Sequence, residues 1–324
     1  MKKICLTFDY ELFFGKTGTI ENCLIKPTYE ILKVLNENNL KGTFFIDASF
    51  LGRLRDIKQE AFNYKRIVEQ LICIVDSGHR IELHLHPHWL DAEYSDGQWI
   101  FPHYQHYRLQ TLPESMITDL FVSGTNLLEE IARKSDNNYK VIAFRAGGWC
   151  IQPFEKLKNG FLQAGIKIDS SVATGQKDWG GAQVFDFVNA PNSSFWRFSN
   201  DPCKIDDSGQ FLELPISVYK RTFFDRLQKY LYLTVSNDKH WGDGAGMNSN
   251  NCIHFNVFNK FESFQTLLST DSVGKHEFLG LICDSKNDVF VFINHPKVMF
   301  KKRGLLNLRE CGRFNTIYPS DLLG

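Results

Sequence analysis

Four of the ten histidines in this 324-residue chain fall within GHRIELHLHPHW, residues 78–89. His84, His86 and His88 stand at alternate positions, so an extended segment projects all three from one face. Pro87 restricts His86 to extended geometry and can bend the chain there, so two of the three can converge on one ion. Imidazole nitrogen suits zinc and other divalent transition metals. Two histidines with one carboxylate make a catalytic set that leaves positions open for water. His79, on the glycine side of the stretch, reads as structural. Carboxylates come from TFDYE, where Asp9 and Glu11 are two apart at the end of an apolar run and share a face if the strand stays extended. One of them could bind the ion while the other takes a proton from water.

Such groups need a rigid scaffold, and the chain supplies one by alternation. Extended runs at 2–8, 42–48, 80–86, 139–145, 166–172, 211–217 and 288–295 give about seven strands. Helix-periodic stretches near 26–39, 63–76, 113–134 and 152–164 separate the earlier ones, and this order indicates a parallel sheet. Long stretches at 88–112, 173–210 and 233–258 read as loops at strand ends. Trp89, Trp99, Trp179, Trp196 and Trp241 lie in them and could pack the loops or stack on sugar rings. No linker splits the chain, so residues 1–324 are expected to form one catalytic domain.

Composition narrows the partners. Lys plus Arg equals Asp plus Glu at 37 each, which gives no electrostatic reason to expect nucleic acid. The eight cysteines, at 5, 23, 73, 150, 203, 252, 283 and 311, form no CxxC pair and read as reduced thiols. No apolar window approaches the roughly 20 residues that span a bilayer. MKKICLTFDYEL lacks the apolar core of a signal peptide, so a cytoplasmic location is expected.

TFDYE, GTFF, GHRIELHLHPH, FRAGGW, IDSSV and FINHP, in this order from residue 2 to about 297, resemble the polysaccharide deacetylases of the NodB-homology group, carbohydrate esterase family 4. The resemblance implies an α/β fold, a distorted (β/α)7-type barrel. It implies Asp9 as general base, with Tyr10 standing where the family has its metal-binding second Asp and Glu11 filling that role. The family's HxxxH pattern falls on His84 and His88 as metal ligands, leaving His86 as an extra. Arg145 matches the arginine set against the base, although Gly147 replaces the usual proline. His295 resembles the histidine that protonates the leaving amine, and Asp169, or else Asp178, resembles the acid that raises its pKa.

These parts describe amide hydrolysis assisted by a divalent ion, here zinc. Asp9 takes a proton as water attacks, and His295 returns one to the departing nitrogen. The reading is N-deacetylation of an N-acetylated sugar or glycan intermediate in surface-polysaccharide biosynthesis. A second reading takes His84 and His86 as the HxH pair of an amidohydrolase acting on a non-sugar or cyclic amide. A third, motivated by Tyr10 and Gly147, is a carbohydrate-binding homologue without catalysis.

Overall fold

A computed structural model describes residues 2–102, 106–179, 181–221, 227, 231–232, 234–246, 264–271, 280–283, 285, 287 and 288–323. The expected loop at 233–258 lies partly outside the described residues.

Among the described residues, seven parallel strands form the scaffold: β1 (Lys3–Tyr10), β2 (Gly42–Asp47), β3 (Arg80–Leu85), β4 (Ala143–Ala146), β5 (Ile168–Asp169), β6 (Phe211–Glu213) and β7 (Val289–Asn294), and a two-residue strand, Asn315–Thr316, also pairs in parallel with β1. Their order across the sheet is β6, β5, β4, β3, β2, β1, β7. Strand Trp196–Phe198 extends it antiparallel beyond β6. The sheet curls and its ends meet where the chain leaving β6 passes β7. There Ser217 N donates to Val291 O (3.1 Å), and Ile293 N donates to Leu268 O (3.0 Å). Pro215, which has no N–H, stands between the end of β6 and this contact, so β6 stops short of a continuous ladder. The architecture is thus the distorted (β/α)7-type barrel that the motifs imply.

Strands such as GTFFID in β2 are buried along their whole length, as expected where helices cover one face and the barrel interior the other. The covering helices are α1 (Lys26–Glu37), α2 (Ala48–Arg55), α3 (Ala61–Asp76), α4 (Glu114–Ala132), α5 (Glu155–Ala164) and α6 (Arg303–Glu310). Ile117, Phe121, Leu128 and Ile131 give α4 a helical apolar stripe. Phe121 packs against Phe144 of β4 and Phe161 of α5, with ring centroids 4.7 and 5.3 Å away. α5 ends at Gly165, whose φ of 73° suits a residue without Cβ. The sequence reading contains no counterpart of α2. This helix follows β2 directly and is capped by Asp47, which accepts from Phe50 N at 3.1 Å.

Candidate metal centre

Parallel register sets the height of each functional side chain. Asp47 lies opposite His84, and His84 lies opposite Arg145. Phe8 lies opposite Asn294, which brings His295 to the level of Asp9. Asp9, Glu11, His84, Arg145 and His295 therefore gather at the carboxyl rim of the barrel, where loops leave every strand.

Thr7, Asp9 and Glu11 share the inner face of the first strand by period-two alternation. Arg145 confirms the spacing, because its Nη1 donates to both Thr7 Oγ1 (2.9 Å) and Asp9 Oδ1 (2.5 Å). Its Nε donates to Ser170 O (2.8 Å) and its Nη2 to Ser170 Oγ (2.9 Å). The guanidinium is fully buried and ties β1, β4 and the segment after β5 into one unit. A buried, charge-assisted contact of this kind orients Asp9.

Glu11 projects just past β1. Its Oε2 meets His84 Nε2 at 3.1 Å and makes a short contact with His86 Nε2, and the two Nε2 atoms are 2.9 Å apart. His84 Nδ1 donates to Arg145 O (2.7 Å), which leaves the lone pair on Nε2. Burial opposes a charge on His84, but its hydrogen bond to Glu11 and the charges of Asp9, Glu11 and Asp47 outweigh that, so its pKa is raised. Two imidazole nitrogens and a carboxylate oxygen thus converge. That donor set fits a divalent transition ion.

The other oxygen of Glu11 is engaged differently. Lys297 Nζ donates to Glu11 Oε1 (2.9 Å) and to Leu12 O (2.6 Å). The sequence reading passes over this lysine. The signal for it lay two residues after His295, on the chain leaving the last strand.

Some expected residues are brought together and others are not. The sequence paired His84 with His88, whereas the structure groups His84 with His86. Extended backbone ends at His86, and Pro87–Asp91 forms a 3-10 turn that carries His88 out of the alternation. His88 packs instead among Phe14, Phe101 and Tyr107, with ring centroids 4.2, 5.3 and 6.0 Å away. Burial pushes its pKa well down. Tyr10 faces away from the centre, its hydroxyl donating to Gln70 Oε1 of α3 at 2.9 Å.

Asp169 was expected beside His295. It is buried opposite Phe144, accepts from Ser171 Oγ (2.7 Å) and neighbours Glu213. The carboxylates that face His295 Nε2 are Asp9 and Glu11, each at 3.5 Å. Burial outweighs their charges and lowers the pKa of His295, opposite to the expected direction. Asp178 lies in a separate two-stranded ladder with Phe185.

Two departures from the expected motifs share one cause. A Cβ on Gly147 would stand 2.7 Å from His86 Nδ1 and 2.6 Å from Leu85 O. Residue 147 must therefore lack a side chain for His86 to turn its Nε2 toward Glu11. The additional histidine and the missing proline belong to one arrangement.

The chain thus gathers a carboxylate pair, an imidazole pair and a guanidinium at the carboxyl rim of a parallel α/β barrel, the face on which barrel enzymes carry their active sites. Residues 1–151 match the polysaccharide deacetylase family model, and the matched part holds Asp9, Glu11, the three histidines and Arg145. No curated protein matches the chain. Among solved structures, a Mycobacterium smegmatis protein provisionally named a polysaccharide deacetylase is 15% identical, with 95% of this chain and 81% of that one covered and a TM-score of 0.47. A family 4 carbohydrate esterase from Streptomyces lividans is 16% identical over 52% of this chain and 62% of its own, with a TM-score of 0.32. A 4-alpha-glucanotransferase from Thermococcus litoralis is 16% identical over 98% of this chain and 38% of its own, with a TM-score of 0.47.

Proposed function

We propose that the chain is a metal-dependent N-deacetylase that hydrolyses the acetamide of an N-acetylated sugar or glycan intermediate. The observation that carries this reading is the convergence of His84 Nε2, His86 Nε2 and Glu11 Oε2 beside a carboxylate held by a buried arginine. Glu11, His84 and His86 would hold the ion, with zinc best suited to two imidazoles and one carboxylate oxygen. When bound, such an ion polarises an acyl carbonyl and acidifies water.

The remaining work belongs to the side chains around it. Asp9, fixed by Arg145 and facing the centre, takes the proton from the attacking water. His295 Nε2 lies 3.5 Å from Asp9 Oδ2, close enough for that proton to pass on toward the departing nitrogen. His295 enters the cycle neutral, because burial lowers its pKa, so the proton it gives is one it has received during turnover. The amide becomes a free amine and acetate. The proposed substrate is a nucleotide-linked or lipid-linked sugar of surface-polysaccharide assembly, and the aromatic side chains of the loops support a sugar ring as the group bound.

The HxH pairing supports a second reading, the same hydrolysis on a non-sugar or cyclic amide. Both are tested by incubating zinc-loaded protein with nucleotide- and lipid-linked N-acetylhexosamines and with cyclic amides, measuring acetate or ring-opened product. Acetate release that Asp9→Asn abolishes at unchanged zinc content supports the first reading, and ring opening supports the second. Turnover of neither class would refute both.

A further inference from the structure

We propose that Lys297 is a positioning residue that limits Glu11 to one free oxygen and thereby sets which cations the centre accepts. The proposal rests on the metal-centre reading above. Lys297 is 7% exposed, and its ammonium is fixed by three partners: Glu11 Oε1, Leu12 O and the Phe13 ring, whose centroid is 5.0 Å away. Its own carbonyl accepts from Gly242 N at 2.8 Å, so the backbone is held as well.

This contact divides the Glu11 carboxylate. Oε2 faces the two imidazoles, and Oε1 is taken up by the ammonium. The chain would then offer an ion two nitrogens and one oxygen. Arg145 and Lys297 offset two of the three buried carboxylates around the imidazoles, Asp9, Glu11 and Asp47.

Hard cations such as manganese or magnesium depend on several oxygen ligands and on net negative charge. Zinc gains most of its binding from imidazole nitrogen and tolerates the loss of one oxygen. A lysine in this position therefore discriminates against hard cations. Loss of its positive charge favours every divalent ion alike, so the discriminating quantity is the ratio of zinc to manganese affinity and not either affinity alone.

The test is equilibrium dialysis of the full chain against zinc and, separately, manganese, with bound metal measured directly. The unaltered chain should bind one zinc and prefer it strongly over manganese. Lys297→Met should narrow the zinc-to-manganese ratio at least tenfold, because Glu11 regains its second oxygen. Lys297→Arg, which can still donate to Oε1, should keep the ratio within threefold of the original. Lys297→Gln, which can still donate to Leu12 O, repeats the loss of charge with milder disturbance, and thermal melting verifies that each variant is folded. A zinc-to-manganese ratio unchanged in folded Lys297→Met or Lys297→Gln would overturn the lysine's role alone. Failure of the unaltered chain to bind zinc would overturn the metal-centre reading and this inference with it.

Discussion

Substituting Gly147 by alanine tests the link between the two departures directly. The added Cβ would lie 2.6 Å from Leu85 O, 2.7 Å from His86 Nδ1 and 2.9 Å from His86 Cε1. Leu85 is the last residue of the third barrel strand and pairs with Ala146, so its carbonyl is held by the ladder. The imidazole is the group that must yield, and it then leaves Glu11. Overpacking of this kind costs about 1–3 kcal/mol. The smaller conformational freedom of alanine in the unfolded chain returns about 0.4–1 kcal/mol. A net loss of about 1–2 kcal/mol is expected, seen as a drop of a few degrees in Tm. Zinc affinity, titrated against a competing chelator, should fall at least tenfold. In a His86→Ala background the same substitution should cost measurably less stability, leaving only the contact with Leu85 O. Zinc affinity equal to that of the unaltered chain, or a cost identical in both backgrounds, would refute the link.

Three other perturbations have defined outcomes. Arg145→Met removes the contacts to Asp9, Thr7 and Ser170 together and leaves Asp9 buried without its cationic partner. A loss of about 3–5 kcal/mol in denaturant unfolding is expected. Glu213 has its pKa raised well above the ordinary value by burial and then by the charge of Asp169, and burial raises Asp169 as well. A folded pKa above the unfolded one means stability declines as pH climbs from about 4.5, so Glu213→Gln should flatten that decline in unfolding curves at successive pH values. His79 behaves oppositely: burial pushes its pKa from 6.5 down to about 4. Its stabilisation is complete above pH 6.5 and is lost as pH falls through about 4, an effect of at most about 3 kcal/mol. His79→Gln should remove that part of the acid limb in the same unfolding curves.

The strands were legible because hydrophobic period and flanking turn residues mark them: all seven overlap the stretches read from the sequence, with β1 running on to Tyr10 and β4 to Ala146. Their ends were less so. The run 166–172 forms ladder pairs only at Ile168–Asp169, and 211–217 stops at Glu213, two residues before Pro215. α2 escaped because eight residues with one glycine carry little periodicity, and its start depends on a cap provided by the preceding strand. At the centre, Asp9, Arg145, His84 and Glu11 occupy the rim their motifs suggest. The choice between His86 and His88 hinged on whether extended geometry survives past Pro87. Proline at the start of a helical turn is common, and the turn at Pro87–Asp91 leaves His88 outside the group formed by Glu11, His84 and His86. Lys297 and the neighbours of Asp169 depend on contacts between segments far apart in the chain, which no local pattern encodes.

The guanidinium of Arg145 has each of its nitrogens engaged by a fixed partner, whereas the imidazole of His295 remains a quarter open to solvent at the start of a turn. The centre is consequently stiff on one side and accessible on the other. An incoming acyl group would meet an anchored carboxylate below and an approachable ring at the lip. Tolerance for differently shaped substrates should therefore be found in the turn after the seventh barrel strand rather than among the residues around Asp9.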